Sequence, residues 1–342
     1  MELHISPHRL RIASILKKDI DLFTHSLIKL SLLHQQVSCN FFSFTETCDD
    51  FSLIIDQEGL KELPSRAELM VQSTVWLALD AIPSFVDADS NSGLTMTTKS
   101  IITSLADKNI SVYNLSTYQT DFILVKEDEY DDVVTCLSND FKILEESQDG
   151  EMIPVVCQEV DENSRRNTCG LHTPRPVVHS FHSPDNRFLV TCLQPEQLSH
   201  LTSTLLKLMF YSNSFLPSPK DGHERFLSLS IINQKISLVV DVESIALFPG
   251  GSLCTGAEEY WRMIKIGNLP LGFDESGIVA QISEPLAEAG IPIYYISTFL
   301  NDHTLVSEAD IERAFAILES KRGKMIDGNS CEPDDSLHFS NR

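Results

Sequence analysis

The sequence predicts an α+β fold made of four ferredoxin-like βαββαβ units, arranged as a two-unit block that is duplicated. Two observations favour this fold class. An internal repeat divides the chain into halves, and each quarter alternates short strand patterns with amphipathic helix patterns in the order β-α-β-β-α. The chain has 342 residues, 42% of them hydrophobic, so it is long enough to bury several small cores.

The stronger repeat links the second quarter of the chain to the fourth. Residues 105–125 align without a gap on residues 286–306, and nine of these 21 positions are identical. A weaker repeat relates residues 9–30 to residues 187–208 at an offset of 178. A period of this kind defines the architecture of a chain, and here it indicates duplication of a pair of units.

The last quarter illustrates the elements expected in each unit. Apolar residues recur at helical spacing in two segments, and the runs between them have the short apolar pattern of strands. The expected elements are a strand at 261–266, a helix at 278–289, strands at 291–298 and 303–306, and a helix at 309–320.

These patterns also predict the limits of the units. The expected units span residues 1–70, 71–145, 178–255 and 256–322. Between the halves, residues 146–177 are rich in polar residues and proline and have no apolar period, which predicts a mobile linker. The tail, residues 323–342, has a similar composition and is expected to be disordered.

The charge of the chain excludes several classes of function. There are 49 acidic and 26 basic side chains, a formal net charge of −23. A surface this acidic repels nucleic acids and anionic lipids, but it attracts cations. No signal-peptide pattern or long apolar run is present, and the eight cysteines are scattered without a CxxC pair. A cytosolic protein without membrane insertion is expected.

The sequence motifs bear on whether the chain is an enzyme or binds a cofactor. Nucleotide loops, nucleophile elbows and zincin helices are absent from the sequence, so we expect neither an enzyme nor a cofactor. The pair Asp302 and His303 could suggest a general base, but for catalysis a solvated turn is the better interpretation. Cys169, His172, His179 and His182 have intervals shorter than those of known zinc modules, so no metal site is expected.

One loop has the composition of an amino-acid site. Residues 270–279 connect a strand to a helix N-terminus, where free N–H groups favour a carboxylate. Gly272 and Gly277 allow the backbone to close around a small ligand, and Asp274 and Glu275 could meet an ammonium group. The alternative is that the two acidic residues only cap the helix.

The repeat assigns different roles to two equivalent aspartates. Asp302 follows Phe299, Leu300 and Asn301, of which the first two are apolar, whereas Asp121 follows Tyr118, Gln119 and Thr120. A carboxylate with apolar flanks suits a buried guanidinium or ammonium group, which it can meet with charge-assisted hydrogen bonds. The polar and aromatic turn before Asp121 instead suits a surface that contacts a protein partner, with a plain exposed turn as the alternative.

The sequence contains the long motifs MELHI, LSTYQTDFILV, RPVVHSF, PLGFDESGIVAQISEPLA and YYISTF. At these residues it closely resembles the CASTOR family of cytosolic arginine sensors for the target-of-rapamycin (TOR) pathway. The resemblance covers nearly the whole chain except the linker and the tail. It implies four tandem ACT domains related to the regulatory domains of aspartate kinases, without a kinase domain.

The resemblance also implies an arginine pocket between the second and fourth units. Ser111 and Val112 would bind the α-amino and carboxylate end of the ligand, and Asp302 would hold its guanidinium. The remaining residues implied to contact or border the ligand are Gly272, Glu275, Val279, Thr298, Phe299 and His179. Two residues matter for this implied pocket. Ser276 stands where vertebrate members of the family have cysteine, and Lys108 places a positive charge near a pocket for a cationic ligand.

Two further surfaces are implied by the resemblance. Tyr118, Gln119 and Asp121 would bind the GATOR subcomplex that activates TOR complex one. Leu206 and Tyr211 would form the interface of a homodimer, or of a heterodimer with a paralogue. The expected function is inhibition of GATOR in the absence of L-arginine and release when arginine binds. The alternative is a constitutive dimeric adaptor that inhibits the same partner without responding to arginine.

Overall fold

A computed structural model gives the fold of most of the chain. It describes residues 2–81, 96–146, 152–155, 179–215, 222–254, 259–267, 271–273 and 275–329. The elements of the first quarter are β1 (Glu2–Leu16), α1 (Thr24–Leu32), β2 (Phe41–Glu46), β3 (Asp50–Asp56), α2 (Gln57–Leu60) and β4 (Leu69–Val71). Strands β2, β3, β1 and β4 lie side by side in that order, and all are antiparallel.

The second quarter repeats the pattern with an added strand. Its elements are β5 (Trp76–Ala81), α3 (Met96–Asp107), β6 (Val112–Ser116), β7 (Asp121–Lys126), α4 (Tyr130–Leu137), β8 (Lys142–Glu146) and β9 (Met152–Pro154). The order of strands is β6, β7, β5, β1, β8 and β9. The N-terminal part of β1 therefore lies between β5 and β8, antiparallel to the first and parallel to the second.

The second half of the chain has a matching series. Its first elements are β10 (Phe181–His182), β11 (Arg187–Leu193), α5 (Leu198–Phe210), α6 (Ser212–Phe215), β12 (Leu227–Ile232) and β13 (Lys235–Asp241). They are followed by β14 (Trp261–Ile266), α7 (Ile278–Glu288), β15 (Ile293–Ser297), β16 (Asp302–Ser307) and α8 (Ile311–Asn329). Both β10 and β11 pair with β14, as the two parts of β1 pair with β5.

Edge strands join the units in pairs. The β2 strand of the first unit pairs along its length with β12 of the third, and β6 of the second unit meets β15 of the fourth through Leu115 and Ile296. The strands form two broad sheets. At one end β1 connects them by pairing with both β3 and β5, and at the other end β11 pairs with β14. A cluster of aromatic and aliphatic side chains, including Trp76, Phe188 and Trp261, fills the space between the sheets.

Helices cover the outer faces of both sheets. On the sheet of the first and third units, the buried faces of α1 and α5 close one core, which contains Leu27, Leu30 and Leu205. On the other sheet, α3, α4, α7 and α8 close a second core with Ile102, Leu286 and other buried residues. Fully burying one such side chain contributes about 2 kcal/mol to stability. The order of layers is helix, sheet, sheet, helix.

Some predicted boundaries are wrong. Residues 152–154, placed in a mobile linker, form β9 because they complete hydrogen bonds along the exposed edge of β8. The last helix begins two residues later than expected and extends to Asn329, beyond the predicted start of the tail at 323. The strand at 261–266 has the predicted limits, and α7 ends one residue early. Most of the predicted linker and the tail from 330 lie outside the described residues.

Two observations bear on the class of protein. Within the part of the chain that the structure describes, no helix has the length and apolar character needed to cross a membrane. The same residues contain no group of three or more His, Cys, Asp and Glu side chains that could hold a metal ion.

Candidate functional site

The loop between β14 and α7 forms one wall of the candidate site. The backbone N–H of Glu275 donates to the carbonyl of Gly272 at 3.1 Å, which turns the chain. Gly277 precedes the helix with φ +80°, a conformation that glycine adopts without strain. Val279, in the first turn of α7, is buried. The N–H groups of this turn have no acceptor within the helix, so they favour an anion.

The third unit contributes an imidazole to this loop. His179 Nε2 lies 3.0 Å from Glu275 Oε1, and both side chains are partly buried. This contact fixes the carboxylate of Glu275 at the edge of the site. The predicted neighbour Asp274 lies outside the described residues.

The turn between β15 and β16 adjoins this loop, because the N–H of Leu271 donates to the carbonyl of Leu300 at 2.9 Å. Thr298 donates its backbone N–H to the carbonyl of Asn301 at 2.9 Å, and its hydroxyl donates to the same oxygen at 2.5 Å. The N–H of Phe299 donates to Ser52 Oγ in β3 at 2.9 Å. A strand of the other sheet therefore holds the tip of this hairpin in place.

Asp302 lies at the base of the site. It is the first residue of β16, is only 6% exposed, and accepts a hydrogen bond of 2.8 Å from the hydroxyl of Tyr295. Burial raises the pKa of Asp302 to about 6, because an ionised carboxylate is poorly solvated there. Hydrogen bonds from Tyr295 and Ser297 oppose this rise in pKa, and the negative charge of Glu275 adds to it.

The second unit meets the site through the start of β6. Ser111 is buried and Val112 is partly buried, and Val112 packs in the same apolar cluster as Val279 of α7. Two reciprocal hydrogen bonds fix β6 against β15. The N–H of Asn114 donates to Ser297 Oγ at 3.1 Å, and the N–H of Tyr295 donates to Ser116 Oγ at 3.0 Å.

An aromatic cluster anchors the loop before α7. The ring of Phe273 stacks on Tyr113 with centroids 6.0 Å apart and meets Phe299 edge-on at 5.2 Å. Trp76 also packs against Phe273 at 6.3 Å. These contacts tie the loop of the fourth unit to β5 and β6 of the second unit. The site therefore lies at a junction where both units contribute.

Some of the predicted site residues interact with one another directly, and others reach the site through the packing of strands and helices. His179, Gly272 and Glu275 are linked by hydrogen bonds, and the charge of Glu275 reaches Asp302. Ser111 and Val112 are brought to this junction by the β6–β15 contact and by the contacts of α7 with α3 and β6.

The arrangement offers an anion site at a helix N-terminus and carboxylates suited to a cation. Such a site suits a small ligand that carries both charges.

Sequence reasoning missed two residues of this site. Tyr295 donates to Asp302, and Phe273 connects the loop to the second unit. The register of the β15–β16 hairpin could have indicated Tyr295, because alternate residues share a face of a sheet. Lys108, expected near the pocket, is exposed in the turn after α3.

The equivalent hairpin of the second unit differs from the predicted surface. Tyr118 is partly buried and its N–H donates to Ser237 Oγ at 2.8 Å, while Gln119 is exposed. Asp121 is only 8% exposed, and Thr98 Oγ1 lies 3.5 Å from its carboxylate. The exposed tip of this hairpin therefore excludes Asp121, because β7 begins there and buries the side chain.

The structure also bears on the Asp302–His303 turn and on the four residues with metal-like spacing. The solvated turn expected at Asp302 and His303 is wrong, because both side chains are buried. Burial lowers the pKa of His303 to about 3. Of the four residues with metal-like spacing, His179 contacts Glu275, and His182 Nε2 lies 2.8 Å from Glu224. Cys169 and His172 lie outside the described residues.

The residues predicted for dimerisation lie on the helical face of the third unit. Leu206 is partly buried on α5, and Tyr211, which follows this helix, is 53% exposed. Other large apolar side chains exposed in the first and third units include Leu22, Leu33 and Phe215.

Three family models match four parts of the chain. The N-terminal domain of cytosolic arginine sensor for mTORC1 subunit 1 matches residues 9–69, and the ACT-like domain of subunits 1 and 2 matches residues 179–257. An ACT domain model matches residues 84–139 and 256–320. The chain thus has an ACT-type α+β fold.

Relatives resemble the chain over almost its full length. Proteins named cytosolic arginine sensor for mTORC1 subunit 1 from Homo sapiens and Mus musculus are each 43% identical over 328 residues, covering 94% of this chain and 98% of the relative. Among solved structures, aspartate kinase from Synechocystis has 13% identity and a TM-score of 0.32, covering 95% of this chain and 56% of that one. On the evidence of the full-length relatives, the chain belongs to the family of cytosolic arginine sensors for mTORC1.

Proposed function

We propose that this protein is a cytosolic, non-enzymatic arginine sensor that inhibits the GATOR subcomplex when arginine is absent and releases it when arginine binds. The observation that carries the proposal is the buried carboxylate of Asp302, which the charge of Glu275 reaches from the loop before α7. Arginine has a guanidinium for the carboxylates and an α-carboxylate for the helix. The names of the full-length relatives support arginine as the ligand.

The proposed binding mode assigns a role to each group of residues. Asp302 holds the guanidinium, while Thr298 and Phe299 line the channel of the ligand side chain. Gly272, Val279 and the backbone of Ser111 and Val112 surround the amino-acid end of arginine. Glu275, held by His179 at 3.0 Å, attracts the ammonium group. Because these groups come from the second, third and fourth units, bound arginine favours the arrangement in which the units are closed together.

We further propose that the chain consists of four ACT units arranged as a duplicated pair. The matching strand pairings β1–β5 and β10–β14 support this arrangement, as do the reciprocal contacts of Ser116 and Ser297. Leu206 and Tyr211 form the interface of a homodimer or of a heterodimer with a paralogue. The exposure of Tyr211 supports this assignment.

Arginine raises the melting temperature of the purified protein if the sensor proposal holds. A ligand at 100 times its Kd that binds only the folded state adds about 2.7 kcal/mol to the free energy of unfolding. Differential scanning fluorimetry with arginine, lysine, citrulline and leucine measures this effect. The shift is expected to be largest for arginine, because citrulline has a neutral urea group in place of the guanidinium and leucine has an apolar side chain. An equal Tm with and without arginine favours the constitutive adaptor.

Arginine affinity is expected to fall with decreasing pH. Because the pKa of Asp302 is about 6, roughly a tenth of this carboxylate is ionised at pH 5, so the Kd rises about tenfold between pH 7.5 and pH 5. Calorimetric titration over this range measures the change. His179→Gln should retain the pH dependence of the Kd, whereas Asp302→Asn should remove it. A Kd that is constant from pH 7.5 to 5 contradicts the role of Asp302.

Without ligand, the same aspartate affects stability in the opposite direction. The folded pKa of about 6 lies above the ordinary value of 3.8, so the folded state binds the proton more tightly than the unfolded state. The contribution of Asp302 to the free energy of unfolding therefore rises as pH falls from about 6 to 3.8, by up to about 3 kcal/mol.

A further inference from the structure

A cleft with a cavity volume of about 430 Å³ lies between the first and third units and opens to solvent. The first unit contributes Lys17 and Ile20 from the connection between β1 and α1, and Cys48 from the hairpin between β2 and β3. The third unit contributes the end of α5 and residues 223–225, just before β12. Ligand sites in proteins commonly have volumes of roughly 300–1,000 Å³.

The cleft occupies the same place in its pair of units as the candidate arginine site. In both places one unit supplies the connection from its first strand to its first helix, and also the hairpin that follows. The other unit supplies the connection from its first helix to its second strand, and paired edge strands join the two units. Phe299 in one hairpin corresponds to Cys48 in the other, since Thr47 and Thr298 each donate across the same turn.

The walls of the cleft carry both signs of charge. Lys17 Nζ lies 2.6 Å from Glu46 Oε1 and 4.3 Å from the centre of the Phe51 ring. Glu46 is buried, so its charge acts in a medium of low dielectric constant. The third unit adds both signs of charge through Arg225 and Glu224, and Glu224 also contacts His182 at 2.8 Å and Lys265 at 3.5 Å.

The remaining lining of the cleft combines apolar side chains with the polar Ser212, Asn213 and His223. Ile20 and Phe51 belong to the first unit, and Met209 and Phe210 extend this surface into the third unit. A ligand that matches these walls carries an ammonium group, a carboxylate and an apolar side chain. The cleft therefore differs from the candidate arginine site, where the described contacts of buried Asp302 are with Tyr295, Ser297 and Thr298 and include no basic side chain.

We infer that the cleft between the first and third units is a second effector site, which binds an α-amino acid with an apolar side chain. Its carboxylate meets Lys17 and Arg225, its ammonium group meets Glu46 and Glu224, and its side chain packs on Met209 and Phe210. Occupancy of this site couples the first unit to the third, as arginine couples the second to the fourth.

The test uses the full chain with Asp302→Asn, which removes the charge of the proposed arginine site. Leucine, methionine and phenylalanine are titrated separately by calorimetry, with lysine and glutamate as charged comparisons. At least one apolar amino acid should bind saturably with one site per chain, at least tenfold more tightly than lysine or glutamate. The inference is overturned if none of the three binds, or if the charged amino acids bind equally well.

A second pair of variants locates the binding. Asn213→Trp places a large side chain at the exposed rim of the cleft, and Ser214→Trp adds the same side chain next to it, outside the lining of the cleft. The first change should weaken binding at least tenfold, and the second by less than twofold. Equal affinities in the two variants place the amino acid elsewhere and overturn the assignment. Circular dichroism and chromatography check fold and oligomeric state. Arginine binding to the unaltered chain is measured separately, so failure of the second site leaves the first untouched.

Discussion

Asp302→Asn is expected to raise the Kd for arginine at least 100-fold. Removing one charge of a buried pair costs about 3–5 kcal/mol, since the remaining charge loses its partner in a region that water does not solvate. Asp302 is 6% exposed, so water cannot replace the lost carboxylate. Isothermal calorimetry measures the Kd, and a competition assay with labelled arginine extends the range to weak binding.

The asparagine variant separates loss of the site from loss of the fold. An amide oxygen can still accept the 2.8 Å hydrogen bond from Tyr295, and its size is that of the aspartate. Since burial raises the pKa of Asp302, the fold does not depend on the ionised carboxylate. The Tm of the unliganded variant at pH 7.5 should therefore be no lower than that of the unaltered chain.

The repeat supplies a matched control. Asp121→Asn makes the same change at the equivalent position of the second unit, where Thr98 rather than a tyrosine lies near the carboxylate. Its Kd for arginine should stay within about twofold of the original, because substitutions outside a site usually change free energies by less than about 0.5 kcal/mol. If the two variants lose arginine equally, or if Asp302→Asn binds normally, the site is wrongly placed.

The repeat predicted the position of Asp302 in its hairpin because duplicated units reuse the same turn. Thr117 and Thr298 each donate a backbone N–H across the turn at 2.9 Å, so Asp121 and Asp302 occupy the same position. The apolar flanks of Asp302 indicated burial correctly. The polar flanks of Asp121 suggested an exposed side chain. The side chain is buried instead, because strand pairing begins at that residue.

Other features depend on contacts between distant segments, which a local pattern does not specify. The N-terminal part of β1 enters the sheet between β5 and β8, although its alternating pattern suits any position in a sheet. Similarly, Ser52 holds Phe299 through a hydrogen bond between residues that are 247 positions apart. Short strands such as β10 and β9 form only because a longer strand offers them a free edge.

Tyr118→Ala is expected to weaken binding of the GATOR subcomplex about 30-fold, without changing arginine affinity. Tyrosine is frequent among the residues whose removal costs about 2 kcal/mol or more at protein interfaces. Its partly buried side chain packs against the cluster between the sheets, next in sequence to exposed Gln119, and its backbone N–H donates to Ser237 Oγ at 2.8 Å. Because the backbone contact remains in the variant, the hairpin keeps its position while the surface loses its aromatic side chain.

The contacts around this hairpin explain how arginine could act on it. Tyr295 donates its hydroxyl to Asp302 and its N–H to Ser116, which immediately precedes the hairpin of Tyr118. A guanidinium that draws Asp302 away from Tyr295 therefore acts on Tyr295, which is hydrogen-bonded to the residue that precedes the proposed partner surface. The difference in arginine affinity between two states sets how far their populations shift, and about 3 kcal/mol changes their ratio more than 100-fold.

Purified GATOR subcomplex and a pull-down titration test the proposed surface. Tyr260→Ala removes the same side chain at the start of β14, where the ring lies 5.0 Å from Arg187, and it should retain partner binding. Gln119→Arg adds a charge at an exposed position and should weaken binding without affecting the Tm. Normal capture by both Tyr118→Ala and Gln119→Arg would exclude this hairpin as the partner surface. Loss of capture by Tyr260→Ala as well would indicate a general effect on the fold, since that residue lies in another unit.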